Sequence, residues 1–184
     1  MTRLFFTIIL LSLLVEVYSQ DKKAEKVTPT TKLDAFSSKT GVVYKLMDYN
    51  LDDLKLMYAG SCKTRICKIS DGKLSEYFYQ IEKSGQYSNT TASIAYSDLI
   101  EVIKAIQILK ADVNVDINNN SDYLEHKFVT EDGFQIGYYI DKGKAVWYMK
   151  LERYGSDNTI FLRDSMDVDS ILTLAKQKIE LLKG

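Results

Sequence analysis

From Leu33 onward, apolar and polar residues alternate in short runs broken by turn signals, the pattern of antiparallel strands joined by tight hairpins. Asp71-Gly72, Asp132-Gly133 and Asp141-Lys142-Gly143 supply residues tolerant of positive φ where two extended runs must reverse. Strands are predicted over 41–47, 54–60, 63–69, 73–83, 90–96, 122–130, 134–140, 144–153 and 158–163. Two segments follow a helical rhythm instead. Leu99, Val102, Ile103, Ile106, Leu109 and Val113 form one stripe, with Asp98 placed to cap it and Glu101 to complete a capping box. Val168, Ile171, Leu172, Ala175, Ile179 and Leu182 form the other, with Asp167 as its expected cap.

The two halves resemble each other. Tyr77-Phe78-Tyr79-Gln80-Ile81-Glu82-Lys83 aligns with Trp147-Tyr148-Met149-Lys150-Leu151-Glu152-Arg153 at an offset of 70, and Asp71 meets Asp141, Ile66 meets Ile136 and Gly85 meets Gly155 at the same offset. The reading is a single α+β domain over 33–184, built from half-repeats of about 41–118 and 122–183. Two antiparallel meander-plus-helix units would join into one curved sheet with two helices on one face. Residue parity then places Tyr77, Tyr79, Ile81, Phe134, Ile136, Tyr138, Ile140, Trp147, Met149 and Leu151 beneath the helices. Phe78, Gln80, Glu82, Gln135, Tyr139, Tyr148, Lys150 and Glu152 would line the open face.

The region before Leu33 reads differently. Arg3, the apolar run Leu4 to Val15 and Val17-Tyr18-Ser19 have the order of a secretion signal over 1–19, too short to span a bilayer, so no transmembrane anchor is expected after cleavage. Residues 20–32, rich in Lys, Glu and Thr and holding the chain's one proline, Pro29, read as a flexible lead-in. A periplasmic or secreted location is therefore expected. The formal charge of −1 gives no electrostatic footprint for nucleic acid.

Export makes the two cysteines, Cys62 and Cys67, a possible disulfide pair, but odd spacing on a strand puts them on opposite faces about 16 Å apart unless the chain turns between them. Both a bridge and two unlinked thiols stay open. Neither forms a metal site, because partner ligands are missing, and no cofactor is expected. The only histidine, His126, sits between Leu124 and Phe128 on the inward side of a strand, where packing is a commoner role than base catalysis. The run Asp116 to Asp122 repeats side-chain oxygens as a calcium loop does, yet Ser121 stands where that loop needs glycine and Lys127 where it needs glutamate. Asp48, Asp52 and Asp53 read as a solvated acidic loop.

The runs Lys32 to Gly41, Tyr96 to Lys104 and Tyr154 to Thr159 resemble a family of uncharacterised exported proteins of Bacteroidota. That resemblance implies an envelope or secreted location and, no activity being assigned to the family, transfers no functional residue. The expected architecture is also similar to the saddles of β-lactamase inhibitor proteins and TATA-binding proteins, a likeness of fold alone.

Tyrosine is abundant, 13 of 184 residues, and suits recognition surfaces because it offers apolar area with a polar tip at little entropic cost. The leading expectation is a non-catalytic binding module whose open face, Phe78, Gln80, Tyr139, Tyr148 and Lys150, meets an envelope protein. A carrier of small apolar ligands, with a pocket lined by Tyr77, Tyr79, Trp147 and Met149, is the first alternative. A hydrolase using Glu82 and Glu152 is the second, weakened because equivalent positions in a repeat follow more simply from shared ancestry than from distinct acid and base roles.

Overall fold

The computed structural model describes residues 31–58 and 60–184, without the side chains of Met166 and Asp167. The signal segment, residues 20–30 of the lead-in and the capping side chain of Asp167 lie outside the described residues. A short helix α1 (Lys32–Ser37) leads into strands β1 (Lys45–Lys55), β2 (Ser61–Ser70), β3 (Ser75–Lys83) and β4 (Thr90–Ala95), followed by helix α2 (Tyr96–Ile117). Strands β5 (Glu125–Val129), β6 (Gln135–Asp141), β7 (Lys144–Lys150) and β8 (Thr159–Phe161) then precede helix α3 (Ser165–Lys183). Every strand pairs antiparallel with its sequence neighbour, β1-β2-β3-β4 in one sheet and β5-β6-β7-β8 in the other.

The architecture is α+β, but the single curved sheet is replaced by two four-stranded ones. They meet at one bridge, Leu56 to Leu162, beside a bond from the Met57 N–H to the Phe161 carbonyl. With only three residues, β8 is too short to continue the ladder, and the two sheets share a core instead. The inward set read by parity is in that core: Tyr77, Tyr79, Ile81, Phe134, Ile136, Tyr138, Trp147, Met149 and Leu151, with Ile140 packed against it. Leu99, Val102, Ile106 and Leu109 of α2 and Val168, Leu172, Ala175 and Ile179 of α3 close it from above.

Local sequence explains the departures from expectation. The predicted strands 41–47 and 54–60 are replaced by the one long strand β1, because Asp48-Tyr49-Asn50-Leu51-Asp52, read as an acidic loop, alternates polar and apolar residues as a half-buried strand does. A bulge between Leu51 and Leu54 then shifts the register, and Leu54 is buried. The β6–β7 hairpin reverses through Lys142 and Gly143, both at positive φ, between the paired Asp141 and Lys144. Helix α2 opens at Tyr96 with no side-chain cap. Asp98 lies in its first turn and accepts from Lys32 Nζ at 2.5 Å. A carboxylate there also meets the positive end of the helix dipole.

Helix α1 is the element the sequence reading lacks. The Thr31 hydroxyl caps it by accepting from the Asp34 N–H at 3.0 Å, and the Lys32 N–H donates to Asp132 at 2.9 Å. Phe36 enters a second apolar cluster with Cys67, Ile69, Phe78 and Ala95, on the opposite side of the first sheet from the main core. Cys62 and Cys67 are thus buried on opposite sides of β2, unlinked, and burial pushes each thiol up to about 11.

Candidate functional site

The two sheets differ in what covers their outer faces. On the first, α1 packs over Phe78, which is 1% exposed, and Gln80 is buried at 7%. The Gln80 side chain accepts from Arg65 Nε at 2.7 Å and donates to Ser93 Oγ at 2.9 Å, so its polar atoms are engaged. Phe78 and Gln80 therefore do not belong to an open surface. The expectation failed there because an apolar outer set, Cys67, Ile69 and Phe78, needed a cover and found it in α1.

On the second sheet, α2 and α3 pack against the inner side, and beyond the Asp141–Lys144 pair at the hairpin the strand pairings lay out the outer side as three rows. Glu125, Tyr139 and Val146 form the first. Lys127, Gly137, Tyr148 and Phe161 form the next, and Val129, Gln135, Lys150 and Thr159 the last. Tyr139, Tyr148 and Lys150 share this side of the sheet, apart from Phe78 and Gln80, but Tyr148, 6% exposed, is buried like Gln80 and is not an open side chain, so only half-buried Tyr139 and Lys150 of the expected face remain accessible.

Tyr148 is the fixed centre of this surface. Its ring sits across from Gly137, where a Cβ would meet the His126 carbonyl oxygen and come within 2.6 Å of Lys127 Cβ, so the glycine keeps β5 close. An aromatic ring opposite a glycine restores apolar cover that the missing side chain leaves out. The Tyr148 hydroxyl donates to Glu125 Oε1 at 2.6 Å, and Lys127 Nζ donates to Glu125 Oε2 at 2.8 Å. Tyr148 is consequently buried at 6% exposure, and burial, with the Glu125 carboxylate beside it, raises its phenol above the ordinary range. Half-buried Tyr139 lies at a ring-centroid distance of 6.4 Å and a tilt of 42°. Tyr58, 72% exposed, stands edge-on to Phe161 at 6.0 Å and extends the aromatic band to the joint between the sheets.

Glu125, Lys127, Phe161 and Tyr58 were missed. Parity within 122–130 and 158–163 could have found the first three, since each points the way Tyr148 does once the strands are aligned. No signal in the sequence places Tyr58 beside them.

Burial resists ionisation of Glu125, but the bonds from Lys127 and Tyr148 outweigh it and hold its carboxyl below the ordinary range. A carboxylate depressed in the folded state stabilises fully above its unfolded value, and that contribution fades as pH falls through the folded one. Comparing urea midpoints of the protein and a Glu125→Gln variant should therefore show a constant gap above about pH 5 that closes in acid. A gap unchanged down to acid unfolding would show that the Glu125 charge contributes nothing.

The other candidate chemistry resolves into structure. Tyr77, Tyr79, Trp147 and Met149 are packed core residues and line neither of two surface clefts, one of about 460 Å³ and one of about 630 Å³. The Tyr79 hydroxyl is buried without a hydrogen-bond partner, while the Thr64 hydroxyl is committed to the Asp52 carbonyl. Arg65, at 2.9 Å, holds the Glu82 carboxyl below its ordinary range, the wrong direction for a proton donor, and exposed Glu152 accepts from the Thr91 N–H at 3.4 Å. Asp116 accepts from the Tyr138 hydroxyl at 2.6 Å and lies 3.0 Å from His126 Nδ1, which ties the end of α2 to the second sheet. No protein-family model, curated protein or solved structure gives a significant match to the chain, so the functional reading rests on its own geometry.

Proposed function

We propose that the protein is a non-catalytic binding module, acting in the periplasm or outside the cell, that presents the outer face of β5–β8 to a protein partner. The observation that carries this reading is the Tyr148–Glu125–Lys127 cluster, which locks an aromatic base in place beside half-buried Tyr139 on the sheet side that α2 and α3 leave uncovered. A surface ordered before binding loses little side-chain freedom when a partner arrives, and tyrosine adds contact area and a hydrogen-bonding tip. Lys150 sits in the neighbouring row and supplies charge for orientation. The N-terminal signal pattern is what supports the location.

A Tyr139→Ser, Lys150→Glu variant should keep the thermal midpoint within a few degrees, both side chains being only half-buried. It should lose capture of the envelope partner by about tenfold or more in pull-down titrations, as removal of a central aromatic anchor does. Capture at full strength by a folded variant would rule this face out.

We also propose that the two halves arose by duplication. Each is a four-strand meander followed by a helix, and the offset of 70 pairs Tyr77 with Trp147 and Tyr79 with Met149. Residual dipolar couplings that place α2 and α3 across their sheets in unrelated directions would contradict it.

A further inference from the structure

We propose that the cleft of about 630 Å³ between α1, β4 and the chain leaving β7 binds a neutral carbohydrate, with Tyr154 as the surface on which a sugar ring stacks. This site is separate from the outer face of the second sheet and does not depend on it.

The cleft draws on both halves of the chain. α1 and β4 form one wall, and the turn before β6 and the residues after β7 form the other. Its volume falls within the roughly 300–1,000 Å³ that small-ligand pockets occupy, and pockets favour such junctions. Phe134 and Leu151, 3% and 2% exposed, give it an apolar floor, while Tyr154, 79% exposed, stands at its rim.

Buried side chains hold the exposed ones in place. Asn158, 4% exposed, donates from Nδ2 to the carbonyl of Glu152 at 2.9 Å and to that of Tyr154 at 3.1 Å. Lys83 Nζ ties the same loop from β3 by donating to the Asp157 carboxylate at 2.6 Å. On the opposite wall, Gln80 donates to Ser93 Oγ at 2.9 Å, which occupies an acceptor site of that hydroxyl and leaves its O–H to donate into the cleft. Groups fixed in advance lose little freedom when a ligand arrives.

The lining selects among ligands. Asp34, Asp132 and Glu152 against Arg153 give it a negative balance, and neighbouring Lys32 is taken up by Asp98 at 2.5 Å. That balance disfavours phosphates and acidic sugars. The three carboxylates come from three separate segments, and among the described residues no group of acidic, histidine or cysteine side chains converges as a metal ion requires. One oxygen of Asp132 already accepts from the Lys32 N–H at 2.9 Å, and one of Glu152 from the Thr91 N–H at 3.4 Å. What is left is a spread of acceptors facing a hydroxyl donor across an apolar floor. A pyranose carries hydroxyls around its ring that both donate and accept, and its C–H faces stack on tyrosine, so it meets dispersed partners that a point cation cannot.

The test is a printed array of neutral oligosaccharides of glucose, galactose, mannose and N-acetylglucosamine, beside amino sugars and uronic acids. The strongest neutral binder is then titrated by calorimetry at low and high salt. The protein should bind neutral glycans, with a Kd that changes by less than about twofold between about 50 mM and 500 mM salt, because no net charge is paired. Tyr154→Ala, at an exposed position outside the core, should weaken that binder about tenfold, and the Tyr139→Ser, Lys150→Glu variant should not. An array with no neutral glycan above background would overturn the proposal. So would a preference for amino sugars that fades with salt, which would make the cleft a site for cations, or full-strength binding by a folded Tyr154→Ala variant.

Discussion

Replacing Phe78 with alanine is expected to destabilise the protein by about 3–5 kcal/mol and to free α1 from the first sheet. Phe78 is 1% exposed at the centre of the cluster that joins Phe36 of α1 to Cys67 and Ile69 of β2 and Ala95 at the end of β4. Removing its ring takes away the apolar area that α1 covers, and a six-residue helix cannot hold itself together without a docking surface. Urea unfolding would read the stability loss, and amide exchange over Lys32–Ser37 the release of the helix. A loss below about 0.5 kcal/mol, the usual cost at an exposed position, would mean that Phe78 lies on an open face after all.

Gly137→Ala is expected to cost about 3 kcal/mol, the upper range for forcing a methyl group into a closed space. The new methyl group would run into the His126 carbonyl oxygen and lie 2.6 Å from Lys127 Cβ, so β5 must move away from β6. β5 has five residues and is itself an edge strand, which leaves few other contacts to resist that shift. Moving β5 also carries Glu125 away from Tyr148, and the binding surface should lose order with the strand. The variant should therefore show a lower urea midpoint and faster exchange over Glu125–Val129 than over β7. A near-neutral change would show that the close approach of β5 to β6 is not rigid.

Period and parity carried the sequence reading a long way. The inward positions of β3, β6 and β7 and the apolar stripes of α2 and α3 were visible because each core residue recurs at the spacing of its element. Tyr139, Tyr148 and Lys150 were placed on a common outer face by the same alternation. The failures have one physical source, since alternation tells which residues share a side but not what lies over it. Phe78 on β3 and Tyr148 on β7 both stand on the outer side of their sheets, yet α1 covers the first and a glutamate with a lysine steadies the second. The short segment Leu33-Asp34-Ala35-Phe36 gives too little periodicity to announce a helix, and its cap and its ties to Asp98 and Asp132 exist only in the folded chain. The division into two sheets was hidden for a similar reason, because the pairing of strands distant in sequence depends on the length of β8 and on the bridge at Leu56.

The central claim is that one outer sheet face is sealed and the other is exposed for recognition. Hydroxyl-radical footprinting read by mass spectrometry, with and without the captured envelope partner, tests it most directly. The expected result is rapid oxidation of Tyr139 and Tyr58 in the free protein, protection of Tyr139 in the complex, and little oxidation of Phe78 in either state. Oxidation of Phe78 as fast as that of Tyr139, or a Tyr139 rate unaltered by the partner, would contradict it.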